Sequence, residues 1–315
     1  MILITGSNGF IGKNLVLSLE EETHPDHSWH GIDVWTCDYA KADLHPDELF
    51  KWLETNHPSV IIHLGAITDT THPANDRLIN TNVNYTLELY DICKKYNIRL
   101  IYASSAATYG GGENGYYDDD NTEYLHNLAP LNPYADTKAM VDHRIFKSID
   151  KGGGKPPQLV GLKFFNVYGP HEEHKGHMRS IISRMHAQIS ASEPVLLFES
   201  YKEGYEDGEQ LRDFVHVEDC CKVIRWLMNN RDVNGIFNVG TGKAESFNTV
   251  ADSVFNCLGE DLDVVYIPMP DSIKNQYQYH TEAPMTKLRG AGYKDSFIGI
   301  EEGVDKYIKF LSSNE

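Results

Sequence analysis

The sequence predicts an α/β fold, a doubly wound parallel sheet followed by a smaller lobe. Three features predict it. A short apolar strand runs straight into a glycine-rich turn, apolar segments alternate with amphipathic helical patterns over the first 170 residues, and that regularity weakens afterwards. The chain has 315 residues, 41% of them apolar, enough for one large domain and a second lobe. Residues 1–170 are expected to form the sheet domain. Residues 171–315 mainly form the second lobe, with segments such as Phe214-Val215-His216-Val217 and Ile236-Phe237-Asn238-Val239 folding back onto the first.

Composition excludes some functions. A net charge of −18 opposes capture of nucleic acid or an anionic membrane by bulk attraction, so any bound phosphate must be gripped locally. The opening Met1-Ile2-Leu3-Ile4-Thr5-Gly6 lacks the basic flank of a signal peptide, and no apolar run approaches a membrane span; a cytoplasmic protein is expected. Five cysteines (Cys37, Cys93, Cys220, Cys221, Cys257) show no metal-binding spacing and read as buried free thiols.

In chain order, Ile2-Leu3-Ile4 is the first strand, and Thr5-Gly6-Ser7-Asn8-Gly9-Phe10-Ile11-Gly12 leads into a helix with Ile11, Leu15, Val16 and Leu19 on its apolar face. Strand, glycine turn and helix together suit a dinucleotide: Gly6 for the tight turn, Gly9 for close approach of a pyrophosphate, Gly12 for helix packing, and the helix N-terminus for the anion. The next strand is read as ending Gly31-Ile32-Asp33-Val34. That places Asp33 where a carboxylate accepts hydrogen bonds from the adenosine ribose and disfavours a 2′-phosphate. Residues 34 to 40 offer no Lys or Arg, which favours NAD; Lys41 keeps NADP open. Asp43-Leu44 is a candidate neighbour of the adenine.

Val60-Ile61-Ile62-His63-Leu64 is the third strand. It enters Gly65-Ala66-Ile67-Thr68, whose small residues let backbone pass beside a cofactor. His63 reads as a satisfied core histidine. A helix around residues 76 to 95 carries Asn80, Asn82 and Asn84, and Asn82 is the candidate facing the cofactor.

Leu100-Ile101-Tyr102-Ala103 is the fourth strand, with Ser105 at its carboxyl edge, where such sheets hold their ligands. Pro133 starts a helix that puts Tyr134 and Lys138 on one face. Tyrosine titrates near 10, so a phenolate at neutral pH needs roughly 4 kcal/mol of electrostatic preference for the anion. Lys138 and a cationic nicotinamide are the expected sources, and Ser105 a donor to a substrate oxygen. The polar stretch from Gly111 to Pro130, with Asp118-Asp119-Asp120, reads as a solvated excursion, and Tyr201 to Gln210 as a polar insertion. The His171-Glu172-Glu173-His174-Lys175-Gly176-His177 segment lacks the four-residue histidine spacing of a helical zinc site, so no metal is expected.

Gly6-x-x-Gly9-x-x-Gly12, Ser105, Tyr134-x-x-x-Lys138, Phe165-Asn166-Val167-Tyr168-Gly169-Pro170 and Arg212-Asp213-Phe214-Val215 together resemble the extended short-chain dehydrogenases/reductases, a Rossmann-type family that modifies nucleotide-diphosphate sugars. Ser104-Ser105-Ala106-Ala107-Thr108-Tyr109-Gly110-Gly111, His174-Lys175-Gly176, Gly235-Ile236-Phe237-Asn238, Gly240-Thr241-Gly242-Lys243-Ala244-Glu245-Ser246-Phe247, Tyr266-Ile267-Pro268 and Tyr277-Gln278 narrow the resemblance to the ADP-glycero-manno-heptose 6-epimerase family. The resemblance implies transient oxidation and re-reduction of a sugar carbon on a tightly bound NAD or NADP, with Tyr134 and Lys175 as acid/base groups and Lys138 orienting the ribose. It places Gly6, Gly9, Phe10, Ile11, Gly12, Asp33, Val34, Leu64, Gly65, Ala66, Asn82, Tyr134 and Lys138 around the cofactor. Ser105, Asn166, His177, Arg184, Phe198, Glu199, Arg212 and Tyr277 fall on the substrate side; a guanidinium at 212 suits a diphosphate. The family also implies a homo-oligomer, a pentamer for the heptose enzymes.

This sequence departs from the family in four places. Glu173-His174-Lys175-Gly176-His177 stands for Gly-His-Lys-Gly-Ser, Arg184 for a substrate-facing His, and Pro284 for an Asp; the basic residue that meets an NADP phosphate has no clear counterpart. Ala106 and Ala107 occupy the positions of a dehydratase's acid/base pair and disfavour that reaction. A nucleotide-diphosphate-sugar 4-epimerase of the UDP-glucose/UDP-galactose type, which needs only Ser, Tyr and Lys, is the competing enzyme. A non-catalytic dinucleotide sensor is the alternative of another class.

Overall fold

The computed structural model describes residues 1–22, 34–37, 46–274 and 277–313. Asp33, Lys41 and Asp43-Leu44 lie outside the described residues. The strands are β1 (Ile2–Thr5), β2 (Val34–Cys37), β3 (Val60–His63), β4 (Arg99–Ser105), β5 (Leu159–Phe164), β6 (Asn166–Tyr168), β7 (Val195–Phe198), β8 (Leu211–His216), β9 (Gly235–Val239), β10 (Ala244–Ser246) and β11 (Val264–Ile267). The main sheet has the order β2-β1-β3-β4-β5-β9, with every pairing parallel.

Both faces of this sheet are covered, and the strand period shows how. Ile2, Ile4, Val60, Ile62, Ile101, Val160 and Leu162 pack on one side against Leu15, Leu19, Val223 and Leu227 of the helices Phe10–Glu22 and Val217–Asn229. Leu3, Ile61, Leu100, Tyr102 and Leu159 face the other way, onto Leu53, Leu89, Val141 and Ile145 of the helices Pro46–Thr55, Tyr85–Tyr96 and Pro133–Asp150. The order in which strands are added reverses between β1 and β3, and ligand crevices form outside the carboxyl ends at such a reversal.

The second lobe is built on β10-β8-β6 and on β11-β7. Its own core brings Tyr168, Ile182, Met185, Phe214, Val250, Val254, Val304 and Ile308 together. The segment 235–239 completes the main sheet beside β5, whereas 211–216 pairs with β6 in the second sheet. No helix among the described residues is long and apolar enough to cross a membrane.

Several local features differ from the sequence expectation. β2 runs from Val34, level with Ile2, to Cys37, level with Thr5, so Val34 opens the described strand rather than closing it. The helix after residue 75 is not uniform: Asp76–Ile79 and Tyr85–Tyr96 are α-helical, and Asn80–Asn84 between them form a π-turn. Asp118 is not solvated, because its carboxylate accepts the Asn238 N–H at 3.1 Å and the Lys287 amine meets its carbonyl at 2.8 Å. Cys93, Cys220 and Cys221 are buried free thiols, while Cys257 is free and exposed.

Beneath β4 lies a buried ion pair. Lys163 Nζ stands 3.1 Å from Asp142 Oδ2, both side chains being fully buried. Asp142 also accepts hydrogen bonds from Tyr102 (2.9 Å) and Ser104 (2.7 Å), and Lys163 donates to Thr108 (2.6 Å). His63 is equally buried, bonded at Nδ1 to Thr5 (2.7 Å) and at Nε2 to Thr86 (2.9 Å). Burial first, and the Lys138 charge second, push its pKa down to about 3.

Two stability predictions follow from these groups. Lys163→Met strands the Asp142 carboxylate and is expected to cost about 3–5 kcal/mol in urea unfolding; a loss under about 1 kcal/mol contradicts the pairing. His63 is neutral in the fold down to pH about 3, whereas an unfolded histidine takes a proton near pH 6.5. Stability contributed by His63 is thus lost as pH falls from about 6.5 toward 3, at up to about 1.4 kcal/mol per pH unit. A His63→Asn variant should show a shallower acid decline, and an unchanged slope contradicts this.

Candidate active site

A cavity of about 470 Å³ opens at the carboxyl ends of β1, β3, β4 and β5. One wall is backbone. Gly6 has φ +72°, and a Cβ there would stand 2.5 Å from Gly65 N; a Cβ on Gly12 would stand 2.1 Å from Gly6 O. Side chains are thus excluded where the first turn meets residues 64–66. Gly6, Gly9, Phe10, Ile11, Gly12, Leu64, Gly65 and Ala66 all line this cavity. The start of the helix Phe10–Glu22 faces it, a wall suited to a diphosphate.

The opposite wall is the end of β4 and the first turns of Pro133–Asp150. Asn132 caps that helix by accepting the Ala135 N–H (2.9 Å), with Pro133 in the first turn. Lys138, Val141, Asp142 and Ile145 lie on its buried stripe, so a lysine and an aspartate occupy positions where apolar residues are usual. Tyr134 and Lys138 line the cavity with Ser105. Ser105 hydrogen-bonds the Tyr134 phenol and accepts the Ala107 N–H at 3.1 Å. Lys138 donates to the Ala103 carbonyl at 2.8 Å.

The depressed phenol expected from the sequence is not present in the protein alone. Burial raises the Tyr134 pKa, and only the Ser105 hydrogen bond opposes it. Burial likewise pushes Lys138 down to about 8, with Asp142 partly restoring it. Desolvation penalises both charged forms, so the pair rests as phenol and ammonium near neutrality.

Asn82 does not line the cavity. It is buried behind residues 64–69, accepting the Ile67 N–H (2.8 Å) and donating to the Ile67 carbonyl (2.9 Å) and to Thr137 (3.1 Å). It ties the strand-end loop to the helix that carries Tyr134, and the π-turn sets its direction.

Residues 173–178 close the cavity from the second lobe. Lys175 Nζ lies 3.5 Å from Glu172 Oε2 and 4.9 Å over the Phe10 ring. The exposed His177 imidazole stands 4.0 Å from Asp69 across the mouth. His171 turns away, edge-on to Phe310 at 5.0 Å. Asp69, Phe165, His174 and Met178 also line the cavity, and the sequence singled out none of them as a site residue. Only the position of Asp69, just after the small residues that follow β3, signalled it.

The remaining substrate-side candidates do not line this cavity. Asn166 is exposed between Phe165 and Val167, which do. Arg212 is buried in the second lobe, its guanidinium 5.0 Å from the Tyr277 ring and 5.7 Å from Phe247. Tyr277 packs edge-on against Phe198 at 6.1 Å, and the Glu199 carboxylate accepts the Tyr201 hydroxyl at 3.1 Å. Arg184 is exposed beside Arg179 in a separate depression of about 230 Å³. Val34 sits at the amino edge of β2, and Asp33 is outside the described residues.

Residues 2–240 match the NAD dependent epimerase/dehydratase family model. An ADP-L-glycero-D-manno-heptose-6-epimerase from Fusobacterium nucleatum is 40% identical, the match covering 100% of this chain and 99% of that one. A protein of the same name from Nitratidesulfovibrio vulgaris is 38% identical, covering 98% and 97%. Among solved structures, the Helicobacter pylori ADP-L-glycero-D-manno-heptose-6-epimerase superposes with TM-score 0.78 at 28% identity, covering 99% of this chain and 96% of that one. A UDP-N-acetylglucosamine 4-epimerase from Methanobrevibacter ruminantium gives the same score at 25% identity, covering 100% and 98%. With its glycine-walled cavity and its Ser105, Tyr134 and Lys138 together at the sheet edge, the chain belongs to the NAD-dependent epimerase/dehydratase family, enzymes built around a nicotinamide dinucleotide.

Proposed function

We propose that the protein is an ADP-glycero-manno-heptose 6-epimerase that inverts C6 of the heptose by transient oxidation. One observation carries the reading: two proton-handling side chains from different lobes, Tyr134 and Lys175, line a single cavity. Inversion of a carbinol requires its oxygen to be served in two orientations of the sugar, and two groups answer that requirement.

A bound nicotinamide dinucleotide supplies the storage of hydride that lets the carbon lose and regain its hydrogen on opposite faces. The residues around it handle binding and protons. The Gly6 turn and the start of the helix Phe10–Glu22 hold the diphosphate. Lys138 anchors the ribose and offers the positive charge that favours a phenolate. Ser105 donates to the sugar oxygen, and Tyr134 takes or returns its proton in one orientation. Lys175 does so in the other, after the ketone has turned about its exocyclic bond. Asn166, His177, Phe198, Glu199, Arg212 and Tyr277 form the nucleotide-sugar side; Arg212, a guanidinium between aromatic rings, suits the diphosphate. Ala106 and Ala107 leave no acid or base for dehydration.

The ribose partner is Asp33, about twenty residues past the glycine turn. A carboxylate there repels a 2′-phosphate, so the cofactor is taken as NAD. By family resemblance the enzyme is a cytoplasmic homo-oligomer acting on a nucleotide-diphosphate sugar.

Incubation with the ADP-activated D-glycero heptose should yield the C6 epimer. Conversion of UDP-galactose without heptose turnover would point to a 4-epimerase instead. Tyr134→Phe and Lys175→Met are each expected to lower kcat by about 10²–10⁴ while the purified protein keeps its cofactor; full activity in either removes that residue from the chemistry. Mass spectrometry of the cofactor released on denaturation should find NAD. NADP would mean that Lys41 offsets the Asp33 carboxylate.

A further inference from the structure

Glu172 is fully buried, a costly place for a carboxylate unless each lone pair is used. Its Oε2 accepts the Ser180 N–H at 2.7 Å and lies 3.5 Å from Lys175 Nζ; its Oε1 accepts the Ser180 hydroxyl. The Tyr307 phenol of the last helix, Ile300–Ser312, lies beside it, with Glu173 next in sequence. Ser180 caps the helix Ile181–Ser190 by accepting the Ser183 N–H, so Glu172 joins the cavity-closing segment to the start of that helix. Among the described residues Lys175 is the cation paired with Glu172. Its amine is held between this carboxylate and the Phe10 ring, on the glycine side of the cavity that Asp69, His174 and His177 also line. Gly176 follows at φ +56°, turning the chain immediately after the lysine.

We propose that Glu172 is the positioning residue for Lys175: from outside the cavity it fixes where the amine stands, through the same carboxylate that anchors the segment to the Ile181–Ser190 helix. This rests on the reading of Lys175 as a proton-transfer group. Glu172 has no other charged partner among the described residues, and a lysine on a reversing loop has about four rotatable side-chain bonds to be restrained.

A double-mutant cycle in the full-length holoenzyme tests it. Glu172→Gln keeps the shape and can still accept the Ser180 N–H through its one oxygen, its NH2 donating to the Ser180 hydroxyl instead, but loses the charge. It is expected to lower kcat about tenfold or more with KM and bound cofactor little changed, the split expected of a displaced amine and not of a loosened binding site. Added to Lys175→Met, it should cost nothing further. Equal losses in both backgrounds, or a loss in KM with kcat unchanged, overturn the positioning role while leaving Lys175 in the chemistry. Full activity of Lys175→Met alone overturns both. Should Glu172→Gln not fold, Glu172→Asp takes its place in the cycle; it keeps the charge but withdraws it by one methylene, so kcat falls and the loss again vanishes in the Lys175→Met background.

Discussion

Exclusion of water from the floor of the cavity is the constraint on which the rest of the site depends. His63, Tyr134, Lys138, Asp142 and Lys163 all lie beneath or along that floor, and each charge there must be matched or suppressed. His63 is neutral, satisfied by Thr5 and Thr86. Asp142 and Lys163 neutralise one another and share three hydroxyls. Lys138 has the Ala103 carbonyl and the more distant Asp142 charge, and its protonation is correspondingly weakened. A lysine so placed is poised to respond to a ligand's charge, which an exposed one is not.

The two lobes divide the work. The first supplies an unyielding wall, because backbone packs on backbone where Gly6 meets Gly65. The second supplies Lys175, His177 and Met178, which close the cavity over that wall, and it is laced to the first by chain that crosses repeatedly. β9 returns to the main sheet after β8 has been laid in the second. Immediately beyond β9, the buried Asp213 carboxylate accepts N–H bonds from Thr241, Gly242 and Ala283. Lys175 and Arg212 therefore hang from a framework continuous with the sheet that carries Tyr134.

Much of this was legible in the sequence where the signal is local. The glycine turn, the Pro133 helix start and Ser105 at a strand end are each set by a few neighbouring residues, and the structure brings them to one cavity. Signals that depend on distant partners were not legible. Asp118 reads as surface, yet its partner Asn238 is 120 positions away. Asn82 reads as facing a cofactor, but its three hydrogen bonds go to Ile67 and Thr137. Val34 illustrates a register effect: it reads as the end of the second strand, and only its pairing with Ile2 reveals that the strand runs on to Cys37. Glu172, in a run that resembles a charged loop, is buried because Ser180 and Tyr307 fold over it.

The central claim is that desolvation, more than any specific ion pair, sets the protonation of the Tyr134–Lys138 pair. Its most direct test is the titration of the Lys138 ammonium in the cofactor-free protein, followed by NMR of selectively labelled lysines and assigned with a Lys138→Arg variant. The account predicts a pKa of about 8. A value at or above the ordinary lysine pKa of about 10.4 would contradict it.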